Sequence, residues 1–84
     1  MGKELVGKIT HFFPKVSVAV VKLDGELKVG DKISIEKGDN ILEQDVTSMQ
    51  VEHKNIQVAK PGDDIGMKTD KEVKPGALVY KVTG

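Results

Sequence analysis

The first residues that could do chemistry are those of the segment GKELVGKIT, residues 2–10. Gly2, Gly7 and Lys8 fit the phosphate-binding pattern G-x-x-x-x-G-K-[ST], but Ile9 stands where a hydroxyl should bind the metal ion. A working phosphate loop opens a helix, whose N-terminal N–H groups receive the phosphates. Here a β-prone run follows Lys8 and ends at Pro14. We therefore expect a strand with Gly7 at a close approach or a bulge, and no nucleotide hydrolysis.

The other candidate catalytic groups are scattered along the chain. Neither His11 nor His53 has a second histidine or an acid at the i+3 or i+4 spacing that builds a metal site on a helix. None of the serines, Ser17, Ser34 and Ser48, lies in a G-x-S-x-G elbow. Because the sequence has no cysteine, it offers no thiol nucleophile, disulfide or zinc knuckle. We predict that the chain is not an enzyme and has neither a cofactor nor a metal site.

Composition limits the partners that the chain could bind. Its 84 residues carry 13 basic and 13 acidic side chains, so the formal net charge is zero. All the basic residues are lysines, and without arginine the bidentate reading of guanine in duplex DNA becomes unfavourable. The longest apolar run, residues 18–21, is too short to span a membrane. We predict a cytoplasmic protein that binds neither DNA nor membranes, with a small core and little room for a buried pocket.

Three similar four-residue segments predict turns between the strands, and these turns must position any functional site. Residues 28–31, 60–63 and 74–77 read KVGD, KPGD and KPGA, and proline followed by glycine is typical of type II turns. Between the turns, apolar and polar residues alternate with many β-branched side chains, which indicates strands. The segments LDGEL and EKGDN carry tight hairpin signals. We predict one all-β domain over residues 1–84, a small closed antiparallel β-barrel of six or seven strands, since closure would remove open sheet edges.

Residues 25–35 read GELKVGDKISI and resemble a signature of the second domain of translational GTPases, such as elongation factor Tu and initiation factor two. The signature is G-x-[IVL]-K-x-G-D-x-[IV]-x-[IV]. The similarity continues through VTSM at residues 46–49, Ala59 with PGDDIG at 61–66, and VKPGALV at 73–79. The resemblance covers about residues 6–82 and implies a small antiparallel β-barrel like elongation factor Tu domain 2.

The resemblance also implies a function in translation. In tRNA-carrying elongation factors this barrel helps to hold the aminoacylated 3′ end, partly through a His-Arg pair. That pair aligns with Glu52 and His53, followed by Lys54, while an Asn position aligns with Asp64. The implied function is a non-catalytic, elongation factor-like module that binds RNA or a ribonucleoprotein surface such as the ribosome. The candidate contacts are Lys15, Glu52, His53, Lys54, Asn55 and Asp64.

The alternative is a protein-interaction module. The segments VGDKISI and NIQVAKP are also similar to the C-terminal accessory barrels of U32-type peptidases. That resemblance implies an adaptor that docks in trans on a separate catalytic domain, either a GTPase or a U32-type peptidase. Its candidate interface is His11, Phe12 and Phe13, because two adjacent phenylalanines in an extended strand cannot both face one core.

Overall fold

The computed structural model describes residues 2–83, which form ten strands and contain no helix. The strands are β1 Gly2–Phe13, β2 Val18–Leu23, β3 Leu27–Lys28, β4 Lys32–Lys37, β5 Asn40–Asp45, β6 Met49–Val51, β7 Lys54–Ile56, β8 Val58–Ala59, β9 Asp64–Lys68 and β10 Leu78–Thr83. Among these residues there is accordingly no helix that could cross a membrane.

Eight strands form one antiparallel sheet in the order β5-β4-β10-β1-β2-β9-β6-β7, and β3 pairs with β8 in a second, two-stranded sheet. The predicted all-β, antiparallel class is confirmed. Closure into a barrel is not, because β5 and β7 end the larger sheet without pairing with each other. The strand count exceeds the predicted six or seven. The additional strands β3, β7 and β8 have only two or three residues, too few for alternation to reveal them in the sequence.

The long strand β1 joins the two halves of the larger sheet. Its first half pairs with β10 and its second half with β2, with register shifts between Leu5 and Gly7 and between Ile9 and His11. A Cβ atom at Gly7 would lie 2.8 Å from the carbonyl oxygen of Lys22, so only glycine lets the two backbones approach this closely. The strand after Lys8 and the close approach at Gly7 are confirmed. GKELVGKIT is therefore not a phosphate loop.

The three predicted turns share one geometry. In the turns at 28–31, 60–63 and 74–77 the glycine has a φ of 97°, 93° and 94°. The N–H of the fourth residue donates to the carbonyl of the first at 3.0, 3.1 and 3.2 Å. In the first two turns the aspartate carboxylate also accepts the first residue's N–H at 2.9 and 3.0 Å. Asp31 and Asp63 therefore stabilise their turns.

One hairpin prediction is confirmed and the other is wrong. EKGDN is the reversal between β4 and β5, closed by the pair Lys37 and Asn40. LDGEL is not a hairpin, since β2 pairs with β1 and β9, and β3 pairs with β8. The N–H groups of Asp24 and Gly25 instead donate to the carbonyl of Val6, at 2.7 and 3.1 Å. The N–H groups of the Asp-Gly pair are thus hydrogen-bonded to β1, and the chain continues from here into β3 of the smaller sheet.

The core is built from aliphatic and methionine side chains on the inward faces of the strands. Burying each large one contributes about 1.5–3 kcal/mol. Its large, fully buried apolar members are Val6, Ile9, Val21, Leu23, Leu27, Ile33, Val46, Met49, Ile65, Met67 and Val79. The buried amide of Gln44 on β5 donates to the carbonyl of Lys68 at 3.0 Å and accepts the N–H of Asp70 at 2.8 Å. This side chain links terminal strand β5 to the segment that follows β9.

Candidate protein-interaction site

Three exposed side chains lie together where β1 turns into β2. Phe13 and Val16 are 52% and 55% exposed, and the N–H of Val16 donates to the carbonyl of Phe13 at 3.3 Å. The exposed ring of His11 stacks on that of Phe13, with centroids 6.5 Å apart and an interplanar angle of 26°. We call His11, Phe13 and Val16 the aromatic tip. Phe12 instead packs partly buried against the core, as the alternation of strand side chains requires.

The backbone around the aromatic tip is anchored at both of its ends. Phe13 is the last residue of β1, and Pro14 cannot continue the ladder. Ser17 turns the chain back into β2 with a left-handed φ of 54°. Its carbonyl accepts the N–H of Thr69 at 2.8 Å, which ties the turn to the segment after β9. The apolar side chains are therefore presented on a short, braced turn.

Four of the predicted contact residues, Glu52 to Asn55, lie at the end of the β6–β7 hairpin, with Glu52 and His53 forming its turn; we call these four residues the polar corner. Glu52 and His53 have φ values of 52° and 66°, in a region where glycine or asparagine is usual. All four residues are exposed, and the amide of Gln50 donates to the side-chain oxygen of Asn55 at 3.0 Å. Non-glycine residues in this conformation carry backbone strain, and such strain is common at contact sites.

The structure does not bring Lys15 together with the polar corner. On β9, Lys68 pairs with Val18 beside the Lys15 turn, while Asp64 pairs with Lys22 at the other end of the sheet. Strand β6 runs antiparallel to β9, so the polar corner lies beyond the Asp64 end. The two ends of β9 are about 13 Å apart at the usual rise per strand residue. Asp64 therefore lies on the side of the polar corner, and Lys15 lies beside the aromatic tip.

A further concave surface lies between the β4–β5 hairpin and the segment before β10. It has a volume of about 470 Å³ and an apolar floor, and three lysines lie at its rim. Its floor includes Ile35, Leu42, Val73 and Ala77, and its lysines are Lys37, Lys71 and Lys74. We call this surface the lysine-rimmed groove. Sequence reasoning missed it, because its walls come from two separate segments, of which residues 71–77 show no periodic pattern.

One polar cluster joins the side chains of Lys3, Ser34 and Glu36. His11 on β1 and His53 in the β6–β7 turn are separated by strands β2 and β9, and the Ser34 hydroxyl donates to the Glu36 carboxylate at 2.8 Å. The Lys3 ammonium also binds Glu36, which raises the pKa of Lys3. The bond from Lys3, and then that from Ser34, lowers the pKa of Glu36. Within residues 2–83, no three His, Cys, Asp or Glu residues lie close enough to hold a metal ion.

Comparison with known proteins relates this chain to peptidases. No protein-family model matches it. It is 41% identical over 76 residues to an uncharacterized protease of Methanocaldococcus jannaschii, and the match covers 89% of this chain and 19% of that protein. The chain thus spans less than a fifth of the length of this curated relative.

Two solved structures share the fold. The C-terminal domain of a U32 peptidase from Geobacillus thermoleovorans superposes with a TM-score of 0.88 and 17% identity, covering 95% of this chain and 93% of that one. The selenomethionine variant of the same domain also gives 0.88 and 17%, with coverage of 93% and 99%. At this level of identity the likeness shows a common fold.

These comparisons correct the functional interpretation of the sequence. The prediction of a role in translation and RNA binding is wrong, because the relatives are a protease and the C-terminal domain of a U32 peptidase. The assignment to elongation factor Tu domain 2 is likewise not confirmed. The phrases that suggested it form turns and core strands, which unrelated small β domains can share. The second resemblance, to peptidase accessory domains, agrees with the structural neighbours.

Proposed function

We propose that this chain is a non-catalytic accessory domain that docks on the catalytic domain of a U32-type peptidase through its aromatic tip. The observation that carries the proposal is the exposure of Phe13 and Val16 beside the stacked His11 ring. The similarity to a protease and to the C-terminal domain of a U32 peptidase supports this class of partner. A non-catalytic role agrees with the sequence, in which no serine lies in a G-x-S-x-G elbow and there is no cysteine.

The chemistry of the aromatic tip fits a protein interface. Aromatic side chains are enriched at interfaces, and a few of them usually provide most of the binding energy. A braced turn loses little conformational freedom on binding, so more of the contact energy remains as affinity. Lys15 lies beside the aromatic tip and is exposed, so a carboxylate on the partner would complement it. The cytoplasmic location stays a prediction.

The proposal is tested with the protease of Methanocaldococcus jannaschii from which the region matching this chain has been removed. That protein is added to the isotope-labelled chain, and the backbone amide spectrum is recorded. We expect the amides of residues 11–17 to shift or broaden first. Val16→Ser should weaken this response, whereas Val58→Ser should not, because Val58 is a similarly exposed valine, 44% accessible, on β8. An unchanged spectrum, or equal loss in both variants, would contradict the proposal.

A further inference from the structure

We propose that the lysine-rimmed groove binds an extended, acidic peptide segment, with one apolar side chain in the floor and carboxylates against the lysines. The groove is formed by the β4–β5 hairpin and residues 71–77, whereas the aromatic tip is formed by the β1–β2 turn. This second binding surface therefore does not depend on the docking function proposed above.

The floor of the groove provides the site for an apolar side chain. Ile35, Val73 and Ala77 are nearly buried, at 3%, 7% and 2% exposure, and half-buried Leu42 packs against the same core. Ile41 stands at the wall and is 61% exposed. A large apolar side chain on a ligand would cover the exposed part of Leu42 and remove apolar surface from water. The groove volume of about 470 Å³ is sufficient for a few residues of an extended chain.

The lysines at the rim of the groove favour a negatively charged ligand. Three lysines line the groove, against one acid, Glu72, in a chain whose formal net charge is zero. Among the described residues, none of these lysines takes part in an ion pair. Lys37 donates to the carbonyl of Pro75 at 2.7 Å, which holds its ammonium over the turn that carries Lys74. Lys71 and Lys74 are exposed at the mouth, where they complement carboxylates.

The neighbouring strand favours a peptide over a small carboxylic acid. Strand β5 is the terminal strand of the larger sheet and contributes Asn40, Ile41 and Leu42 to the groove. Its outer edge has no strand partner among residues 2–83, so an extended chain can add hydrogen bonds there. Farther along β5, Glu43 and Asp45 are exposed and repel an acidic ligand. The contact is thereby limited to the first half of β5.

The test uses a blocked heptapeptide with a central leucine, two glutamates on each side and glycine at both ends. Its titration into the labelled chain should shift the amides of residues 40–42 and 71–77. Replacing the glutamates of the peptide by lysines should abolish these shifts. The double variant Lys71→Glu/Lys74→Glu should bind at least about tenfold more weakly, and added salt should weaken wild-type binding. The control Lys22→Glu/Lys60→Glu makes the same change in net charge elsewhere on the surface.

Three outcomes would overturn the inference. The first is the absence of shifts at the groove with the acidic peptide. The second is equal binding of the acidic and basic peptides, which would show that the lysines do not discriminate between ligands of opposite charge. The third is equal weakening by both double variants, which would indicate attraction by net charge alone. Ile41→Ser provides a further check, because this exposed side chain can be changed without opening the core, and its loss should weaken binding of the leucine peptide.

Discussion

The rings of His11 and Phe13 stack on one side of β1, 6.5 Å apart, while Phe12 between them packs against the core. This arrangement follows from the two-residue period of a strand, which directs alternate side chains to opposite faces. It leaves Phe13 half exposed at a braced turn, next to Val16. The aromatic tip is therefore a surface feature whose side chains can be changed separately from the core.

The two phenylalanines should respond differently to the same substitution. Phe13→Ser should change the free energy of unfolding by no more than about 0.5 kcal/mol, because surface changes rarely cost more. Phe12→Ser should destabilise by about 2–4 kcal/mol, because it removes a ring packed against the core and places a hydroxyl there. Urea denaturation of both variants measures the difference. Equal destabilisation would show that both rings belong to the core.

Gly7→Ala should destabilise the domain by about 1–3 kcal/mol. The added methyl group would meet the carbonyl oxygen of Lys22 and Cγ1 of Val21, each at 2.8 Å, and a backbone atom cannot simply move aside. Gly2→Ala is the matched control in the same strand, because its nearest atom is a side-chain oxygen of Thr83, at 3.3 Å. Thermal unfolding of both variants tests this prediction. A neutral Gly7→Ala would contradict the close approach of β1 and β2.

The double variant Glu52→Asn/His53→Gly should stabilise the domain by about 1 kcal/mol. Both residues have positive φ values, and Asn-Gly is the pair best suited to a two-residue hairpin turn of this kind. The increase in the urea midpoint measures the effect. If the strained turn also contacts a partner, this more stable variant should bind it more weakly. A loss of stability would contradict the left-handed geometry of the polar corner.

Glu36→Gln should lower stability slightly at neutral pH and have no effect in acid. The bonds from Lys3 and Ser34 hold the pKa of Glu36 below its usual range, so its stabilising effect is present above that range. This stabilising effect is lost in acid, as the pH falls below the usual range of a glutamate carboxyl and through the lowered pKa. Urea midpoints at pH 7 and pH 3 measure the change. Glu4→Gln on β1 is the control, and an equal pH dependence in both variants would contradict this assignment.

Much of the fold is local and could be predicted from the sequence. The alternation of apolar residues, the turn glycines at 30, 62 and 76, and the close approach at Gly7 each depend on a few neighbouring residues. The path after LDGEL could not be predicted, because the N–H groups of Asp24 and Gly25 find their acceptor on β1, far away in the sequence. For the same reason, strand signals alone did not reveal that β5 and β7 end an open sheet.

The candidate sites also combine features set by neighbouring residues, which the sequence predicts, with features set by distant residues, which it does not. Strand alternation predicts that only one of the two adjacent phenylalanines points outward, and in the structure that residue is Phe13. The grouping of Lys15 with the polar corner relied on alignment to another family, and the register of β9 separates them. The lysine-rimmed groove depends on the meeting of the β4–β5 hairpin with residues 71–77. This tertiary contact between distant segments leaves no recognisable pattern in the sequence.

The affinity of this chain for a U32-type peptidase catalytic domain tests the central claim most directly. Isothermal titration of the trimmed Methanocaldococcus jannaschii protease with the wild-type chain, Phe13→Ser and Val58→Ser gives the three dissociation constants. We predict saturable binding by the wild type, at least about tenfold weaker binding by Phe13→Ser, and unchanged binding by Val58→Ser. No measurable binding by the wild type, or equal affinity of Phe13→Ser, would contradict docking through the aromatic tip.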